Sequence, residues 1–358
     1  MNEVNDRVAR LSELISAQGA VLSNPAMLLP ANPFFDLAGE EFGRRLLLTN
    51  GANDEDYCLR PDFTLPIAMD FLRDGGDEQG RAFSYLGSIF RQRAQGPVEF
   101  TQAGIEFLGQ KNRDETLENT LNFALKALEI YDIKPDILLG SVEVFESLLK
   151  VIDIPQVWLP RIRHRFGQPK AMNRLLDRLG KPQAPIADLK AQNREALITK
   201  ITDQMMADGL SLTGSRSPEE IANRYFEKQQ LAATPVSAKT LEILRAYLAI
   251  KGDASDSLHE IEALAKEYNL DIFAPLKRLT KHIEFLKAQN QVSSIKFDAS
   301  FSPRLDYYTG IVFQMIFNSK TIASGGEYNR LLERLGAKKQ MNATGCAIWI
   351  DRAEEAKK

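Results

Sequence analysis

Residues 82–109 read AFSYLGSIFRQRAQGPVEFTQAGIEFLG: two extended apolar runs, 82–92 and 98–109, around the turn Ala94-Gln95-Gly96-Pro97. Two such runs joined by a short Gly-Pro turn predict an antiparallel strand pair. Upstream, residues 45–49 and 57–59 are short strands flanking residues 50–56, which are rich in Asn, Asp and Gly, a second hairpin. Residues 62–72 regain helical spacing, residues 24–33 read as a loop, and residues 3–18 place Val4, Val8, Leu11, Leu14 and Ile15 on one helical face.

Downstream, residues 113–131 form a helix with Leu117, Leu121, Ala124 and Leu128 on one side. A short buried strand at 136–139 and a helix at 142–151 follow. Strand signals then vanish, and amphipathic helices dominate from 155 to about 290, including 218–229, 238–250 and 274–286. Strands return at 293–301, 311–318 and 320–324, followed by a helix at 327–335 and a last strand at 344–350. Antiparallel pairs flanked by helices, rather than a regular βαβ alternation, predict an α+β fold with six or seven antiparallel strands. An all-helical insertion is expected at about 155–235. No internal repeat and no low-complexity segment is visible.

The 358 residues are 44% hydrophobic and 26% charged, the composition of a globular protein. A net charge of -3 and a pI near 5.8 exclude a global positive field that would draw the chain to nucleic acid. The basic stretch Arg161, Arg163, His164, Arg165 and Lys170 is short and reads as a solvated helix face or protein contact. Cys58 and Cys346 stand apart, and His164, His259 and His282 are scattered, so neither a disulfide framework nor a metal site is expected. The charged, amphipathic start is not a signal peptide, and no apolar run approaches the roughly 18–20 residues of a membrane span. The expectation is a cytoplasmic protein without cofactor or metal.

Four short segments carry more information: Leu59-Arg60-Pro61-Asp62-Phe63-Thr64, the run from Phe90-Arg91 to Gly109, Arg304-Leu305-Asp306-Tyr307-Tyr308-Thr309, and Gly325-Gly326-Glu327-Tyr328. Each alone is as well explained by satisfied polar groups, core tyrosines or a plain turn. In this order they resemble the catalytic core of histidyl-tRNA synthetase, a class II aminoacyl-tRNA synthetase. Leu59–Thr64 looks like Leu-Arg-Pro-Glu-Gly-Thr, and 90–109, with Gln102-Ala103-Gly104-Ile105-Glu106, looks like motif 2. Leu305-Asp306-Tyr307-Tyr308 matches the histidine-specific Gly-Leu-Asp-Tyr-Tyr element from its Leu onward. Gly325-Gly326-Glu327-Tyr328 with residues 345–352 looks like the Gly-Gly-Arg-Tyr segment and motif 3. The likeness spans residues 3 to 352 and implies an antiparallel sheet flanked by helices.

The resemblance also implies a histidine pocket. Fixing both ring nitrogens of an imidazole takes an acceptor on one side and a hydroxyl on the other. Glu106 and one of Tyr307 and Tyr308 match those positions. Asp62, Thr64 and Gln102 match the acceptors for the ammonium, with Asp62 standing where the synthetase has Glu. Arg91 or Arg304 is the candidate for the carboxylate.

The adenylating half departs from the family. Activation with ATP takes cations on the phosphates and a slot for adenine. Where the family has Phe-Arg-x-Glu, this chain has Phe90-Arg91-Gln92-Arg93, and the loop after it, residues 94–99, carries no further Arg. Pro303 stands at the catalytic Arg preceding Gly-Leu-Asp-Tyr-Tyr, and Arg304 replaces the Gly. Arg352 matches motif 3, but Trp349 stands where the family has Gly, and an indole there is expected to fill the adenine slot. The site is thus a degenerate ATP site, with Arg93, Trp349 and Arg352 as its remnants and no catalytic residue. No anticodon-binding domain is expected after Arg352.

These features resemble those of the regulatory subunits of short-form ATP phosphoribosyltransferase, whose Leu-Gly-Asp-Val-x-Leu-Phe is similar to Leu139-Gly140-Ser141-Val142-Glu143-Val144-Phe145. That resemblance implies a histidine-binding regulatory pseudoenzyme in a hetero-oligomer with a separate catalytic subunit, four of each. It also implies a homodimer through the motif 1 region near 32–48, with free histidine as effector. The alternative is an active adenylate-forming amino-acid ligase, which ATP–pyrophosphate exchange separates from the first reading. A third, an RNA-binding module, is disfavoured by the acidic pI and testable by binding across a salt series.

Overall fold

The computed structural model describes residues 2–37, 40–51, 55–76, 79–94, 96–180, 193–209, 216–303 and 307–357. They fall into two compact units, Met1–Leu148 with Tyr247–Lys358, and Leu149–Ala246.

Among the described residues the first unit carries twelve strands: β1 Val21–Leu22, β2 Leu28–Pro30, β3 Leu48–Asn50, β4 Asp56–Leu59, β5 Arg81–Phe90, β6 Glu99–Leu108, β7 Asp136–Ser141, β8 Lys251–Asp253, β9 Ser294–Asp298, β10 Ile311–Phe317, β11 Lys320–Glu327 and β12 Ala343–Trp349. Nine form one sheet in the order β1-β5-β6-β12-β11-β10-β7-β9-β8. Its six central strands, from β5 to β7, are antiparallel throughout. β1 lies parallel to β5, and β9 parallel to β7.

The α+β class therefore holds, while the expected six or seven antiparallel strands describe only the centre of a larger mixed sheet. A long crossover through helices delivers β9 beside β7 in the same direction, which only a parallel pairing accommodates. β1 and β8, of two and three residues, are too short to show a period of two.

The hairpin at 82–109 appears as β5 and β6, in register from Arg81 opposite Leu108 to Phe90 opposite Glu99. Because side chains alternate, Gln102, Gly104 and Glu106 share one face of β6, and Ala103 and Ile105 the other. Helix Arg113–Glu129 packs against β6, β11 and β12 on the second face, burying Leu117, Leu121, Ala124 and Leu128. Asn112 caps it by accepting from the Glu115 N–H, and Asp114 and Glu115 complement the positive end of the helix dipole. The first face carries the main core cluster, including Phe63, Phe71, Phe83, Tyr85, Ile89 and Leu108, each buried aromatic contributing roughly 1.5–3 kcal/mol.

β2, β4 and β3 form a small separate sheet. Residues 24–33 are therefore not all loop: Leu28–Pro30 pairs with β4, and Asn32–Leu37 is helical. Pro30 hides this from pattern reading, since proline suits an edge strand whose N–H has no partner to serve. In residues 45–49 only Leu48 and Thr49 enter the ladder, and Glu327 ends β11 while the helix after it is Arg330–Arg334.

In the second unit, helices run at Leu159–Arg165, Pro169–Leu179, Arg194–Ala207 and Pro218–Ala233. Ser217 and Glu220 cap the last with a reciprocal capping box, and Leu197, Ala222 and Tyr225 form a local core. The boundaries expected at about 155–235 enclose residues 181–192 and 210–215, which lie outside the described residues. No helix among the described residues is long and apolar enough to cross a membrane.

Candidate functional site

On the core face of the central strands lies a cavity of about 260 Å³, lined by Asp62, Thr64, Arg91, Gln102, Glu106, Tyr307, Tyr308 and Trp349. The chain thus brings together eight of the eleven residues singled out from sequence. Arg304 lies outside the described residues, while Arg93 and Arg352 are placed apart from the lining.

Glu106, 1% exposed, is its central group. Thr64 Oγ1 donates to Glu106 Oε1 at 2.6 Å, and Tyr328 OH donates to Oε2. Tyr85 OH lies 3.4 Å from Oε1 and 3.2 Å from the Cys346 carbonyl, between which its single proton is shared. Burial pushes the Glu106 carboxyl up to about 8; these donors oppose the rise, and the nearby Asp62 adds to it. β12 makes room for the carboxylate. Gly345 pairs with Glu106 across the ladder, and a Cβ on it would overlap Oε2.

Asp62 accepts the Leu65 N–H at 3.1 Å in the first turn of helix Thr64–Arg73. Burial raises its carboxyl too, with the Leu65 N–H and Arg91 acting against the rise. Burial lowers Arg91 to about 10, Asp62 acting against the fall and Arg93, Arg45 and Arg352 adding to it. Its guanidinium lies 5.5 Å from the Phe42 ring centroid and 5.4 Å from that of Phe100.

Gln102, 2% exposed, is held between β5 and β12, opposite Gly87 and Trp349. Its Oε1 has no hydrogen-bond partner among the described residues, so a buried acceptor is left for a donor entering the cavity.

Arg60 does not line the cavity, but it braces the strand beside it. Its Nη2 donates to the Ser88 carbonyl at 2.9 Å and its Nη1 to that of Pro25, and it stacks on Phe63, which stacks on Tyr85 at 4.3 Å.

Outside the lining, Arg93 Nη1 donates to Asp351 Oδ2 at 2.9 Å, and the guanidinium carbon of Arg93 lies 3.4 Å from the Phe100 ring centroid. Arg352 Nη1 donates to the Thr321 carbonyl at 2.6 Å, its guanidinium 4.8 Å from the Trp349 ring. Arg93 and Arg352 are thus each engaged by a protein group, Arg352 beside an indole that occupies part of the cavity wall.

Sequence reasoning missed Tyr85 and Tyr328 as partners of Glu106, although Tyr328 stood within the quoted Gly-Gly-Glu-Tyr segment. It also missed Phe42, Arg45, Gln314 and Ser324 in the lining.

The mixed sheet, antiparallel at its centre, and the cavity on it go with a histidyl-tRNA synthetase-like protein: a family model described as histidyl-tRNA synthetase matches residues 1–204 and 222–353. An ATP phosphoribosyltransferase regulatory subunit of Brucella anthropi is 33% identical, over 96% of this chain and 95% of its own length. One of a Chelativorans species is 34% identical over 96% and 95%. A solved structure from Bacillus halodurans, described as an ATP phosphoribosyltransferase regulatory subunit/histidyl-tRNA synthetase, superposes with a TM-score of 0.65 at 20% identity. It covers all of this chain and 79% of the other. The chain belongs to the family of ATP phosphoribosyltransferase regulatory subunits.

Proposed function

We propose that this chain is a non-catalytic subunit that binds free histidine in the cavity and adjusts a separate ATP phosphoribosyltransferase catalytic subunit, in the first step of histidine biosynthesis. The buried, unpartnered Gln102 Oε1 beside Asp62 and Thr64 carries the reading, because three oxygen acceptors suit an ammonium. Arg91, and Arg304 in the alternative, suits the ligand's carboxylate. Glu106 takes one imidazole nitrogen and a hydroxyl of Tyr307 or Tyr308 the other. A carboxyl raised to about 8 can supply or accept the shared proton, whichever form the ring takes.

The same reading makes the adenylating half inert. Trp349 occupies the position that adenine needs, and Arg93 and Arg352 are engaged elsewhere. Residues at about 155–235 are then a helical insertion in the synthetase core.

Exposed apolar side chains at Met27, Leu28, Phe35 and Leu48 support a homodimer through residues 32–48 and the strands beside them. Four chains with four catalytic subunits is the proposed assembly.

The deciding experiment is calorimetric titration of histidine into the isolated chain and into its mixture with the short catalytic subunit. Saturable binding in both is expected. Absence of binding at millimolar histidine in both would end the sensing role.

A further inference from the structure

Glu327, the last residue of β11, has a fully buried side chain and does not line the cavity. Arg278 Nη2 donates to its Oε1 and Arg278 Nη1 to its Oε2, each at 2.8 Å, and Arg113 Nε also donates to Oε1. Oε2 further accepts the main-chain N–H of Ile311 at 2.8 Å, while the Glu327 carbonyl accepts the N–H of Thr309, also at 2.8 Å. One residue therefore clamps both ends of the segment 309–311 that follows Tyr307 and Tyr308. Gly310, between them, has no room for a side chain because a Cβ there would overlap Glu327 Oε2.

The residue after Glu327 is Tyr328, whose hydroxyl donates to Glu106. The rings of Tyr307, Tyr308 and Tyr328 touch one another, with centroids 5.4, 5.8 and 6.3 Å apart. The clamp thus adjoins the three tyrosines of the cavity lining in sequence, Tyr307 and Tyr308 on one strand's approach and Tyr328 on the other's.

A buried carboxylate between two guanidiniums gains little stability over apolar residues of the same volume, because desolvation offsets the attraction. Its geometric effect is the better account. The position also reverses the charge of the resembling Gly-Gly-Arg-Tyr segment. The arginines are themselves oriented from outside: Arg113 by Glu143 at 3.0 and 2.8 Å, and Arg278 by Asp114 at 2.5 Å.

We propose that Glu327 is a positioning residue for the cavity. Held by Arg113 and Arg278, it fixes the Tyr307–Tyr308 wall and the hydrogen bond from Tyr328 to Glu106 without touching the ligand. Where affinity is concerned this rests on the histidine reading of the cavity. Histidine binding then depends on Arg278, a residue of helix Phe273–Lys287 that lies outside the lining.

The test compares Glu327→Gln, Arg278→Met and Arg278→Lys in the full chain. Each is measured by histidine calorimetry and by amide hydrogen exchange at Thr309 and Ile311, with circular dichroism as the control for folding. Glu327→Gln and Arg278→Met are expected to weaken histidine binding by roughly 3- to 30-fold, the range of coupling through residues that do not contact a ligand. Both should speed exchange at the two amides, and Arg278→Lys should recover part of each loss. Folded variants with lowered melting temperature but unchanged affinity and unchanged exchange would overturn the proposal. If the unaltered chain binds no histidine, the sensing role fails on its own, and exchange at Thr309 and Ile311 still decides whether Glu327 positions the wall.

Discussion

Gly345 of β12 lies directly opposite Glu106 of β6, and the absence of a side chain there gives the Glu106 carboxylate its place. Gly345→Ala is therefore expected to push the carboxylate away from Thr64 and Tyr328. Overpacking of this kind costs about 1–3 kcal/mol of stability. Thermal denaturation and histidine calorimetry on one preparation check it, and a variant with both properties unchanged contradicts the geometry.

Glu106→Gln replaces the carboxyl proposed as the partner of the histidine ring with an amide. A lost charge-assisted hydrogen bond in a desolvated site costs on the order of 1.5–3 kcal/mol, or about 10- to 150-fold in histidine affinity. Unchanged affinity would place the effector elsewhere.

The same residue sets a pH dependence. Its folded-state carboxyl is raised to about 8 from the ordinary 4.5, so folding takes up a proton between those values. The stability linked to this group is fully present below the ordinary value and is lost as pH rises through about 8. In Glu106→Gln that loss disappears. Denaturant unfolding of both proteins at pH 5, 7 and 9 should show the unaltered chain losing stability relative to the variant as pH rises.

Much of this was legible in sequence, for identifiable reasons. The hairpin at 82–109 announces itself because extended apolar runs bracket a Gly-Pro turn, and Asp62, Thr64, Gln102 and Glu106 stand in short segments of specific character. Tyr85 and Tyr328 were not legible as partners of Glu106. Their roles depend on Tyr85 falling opposite Gly104, and on β12 lying between β6 and β11, and long-range register leaves no trace in local periodicity. β2 escaped notice because Pro30 reads as loop punctuation, although an edge strand tolerates it.

Tyr307→Phe and Tyr308→Phe are expected to differ. Tyr307 is 3% exposed and packs in the core cluster, whereas Tyr308 is only partly buried against that cluster. Only the hydroxyl that reaches the ring nitrogen should matter, at about 0.5–1.5 kcal/mol for a neutral hydrogen bond. Paired calorimetry of the two variants reads the difference, and equal effects would dispose of a single ring-facing hydroxyl.

Trp349 gives a test of the adenylating half. Calorimetry at millimolar ATP-Mg should detect no binding to the unaltered chain. Trp349→Gly alone should not restore ATP–pyrophosphate exchange, because Arg93 remains tied to Asp351 and residues 94–99 carry no arginine. Micromolar ATP binding by the unaltered chain, or exchange by the variant, would favour the ligase alternative.

The last expectation concerns the partner. A regulatory ligand influences chemistry by coupling to a second site, and coupling requires that the ligand bind two states of the assembly with different affinity. The names of the relatives, regulatory subunits of ATP phosphoribosyltransferase, point to a second site on a catalytic subunit of that enzyme. The isolated chain should be inert with ATP and phosphoribosyl pyrophosphate. Mixed with the short catalytic subunit, it should co-elute at micromolar concentration, change turnover and shift histidine inhibition, with couplings of about 1–3 kcal/mol, or 5- to 150-fold. Glu106→Gln in that mixture should leave assembly intact while moving the histidine dependence. Co-elution without any kinetic change would leave a scaffold rather than a sensor, and separate elution with unaltered kinetics would refute the partnership itself.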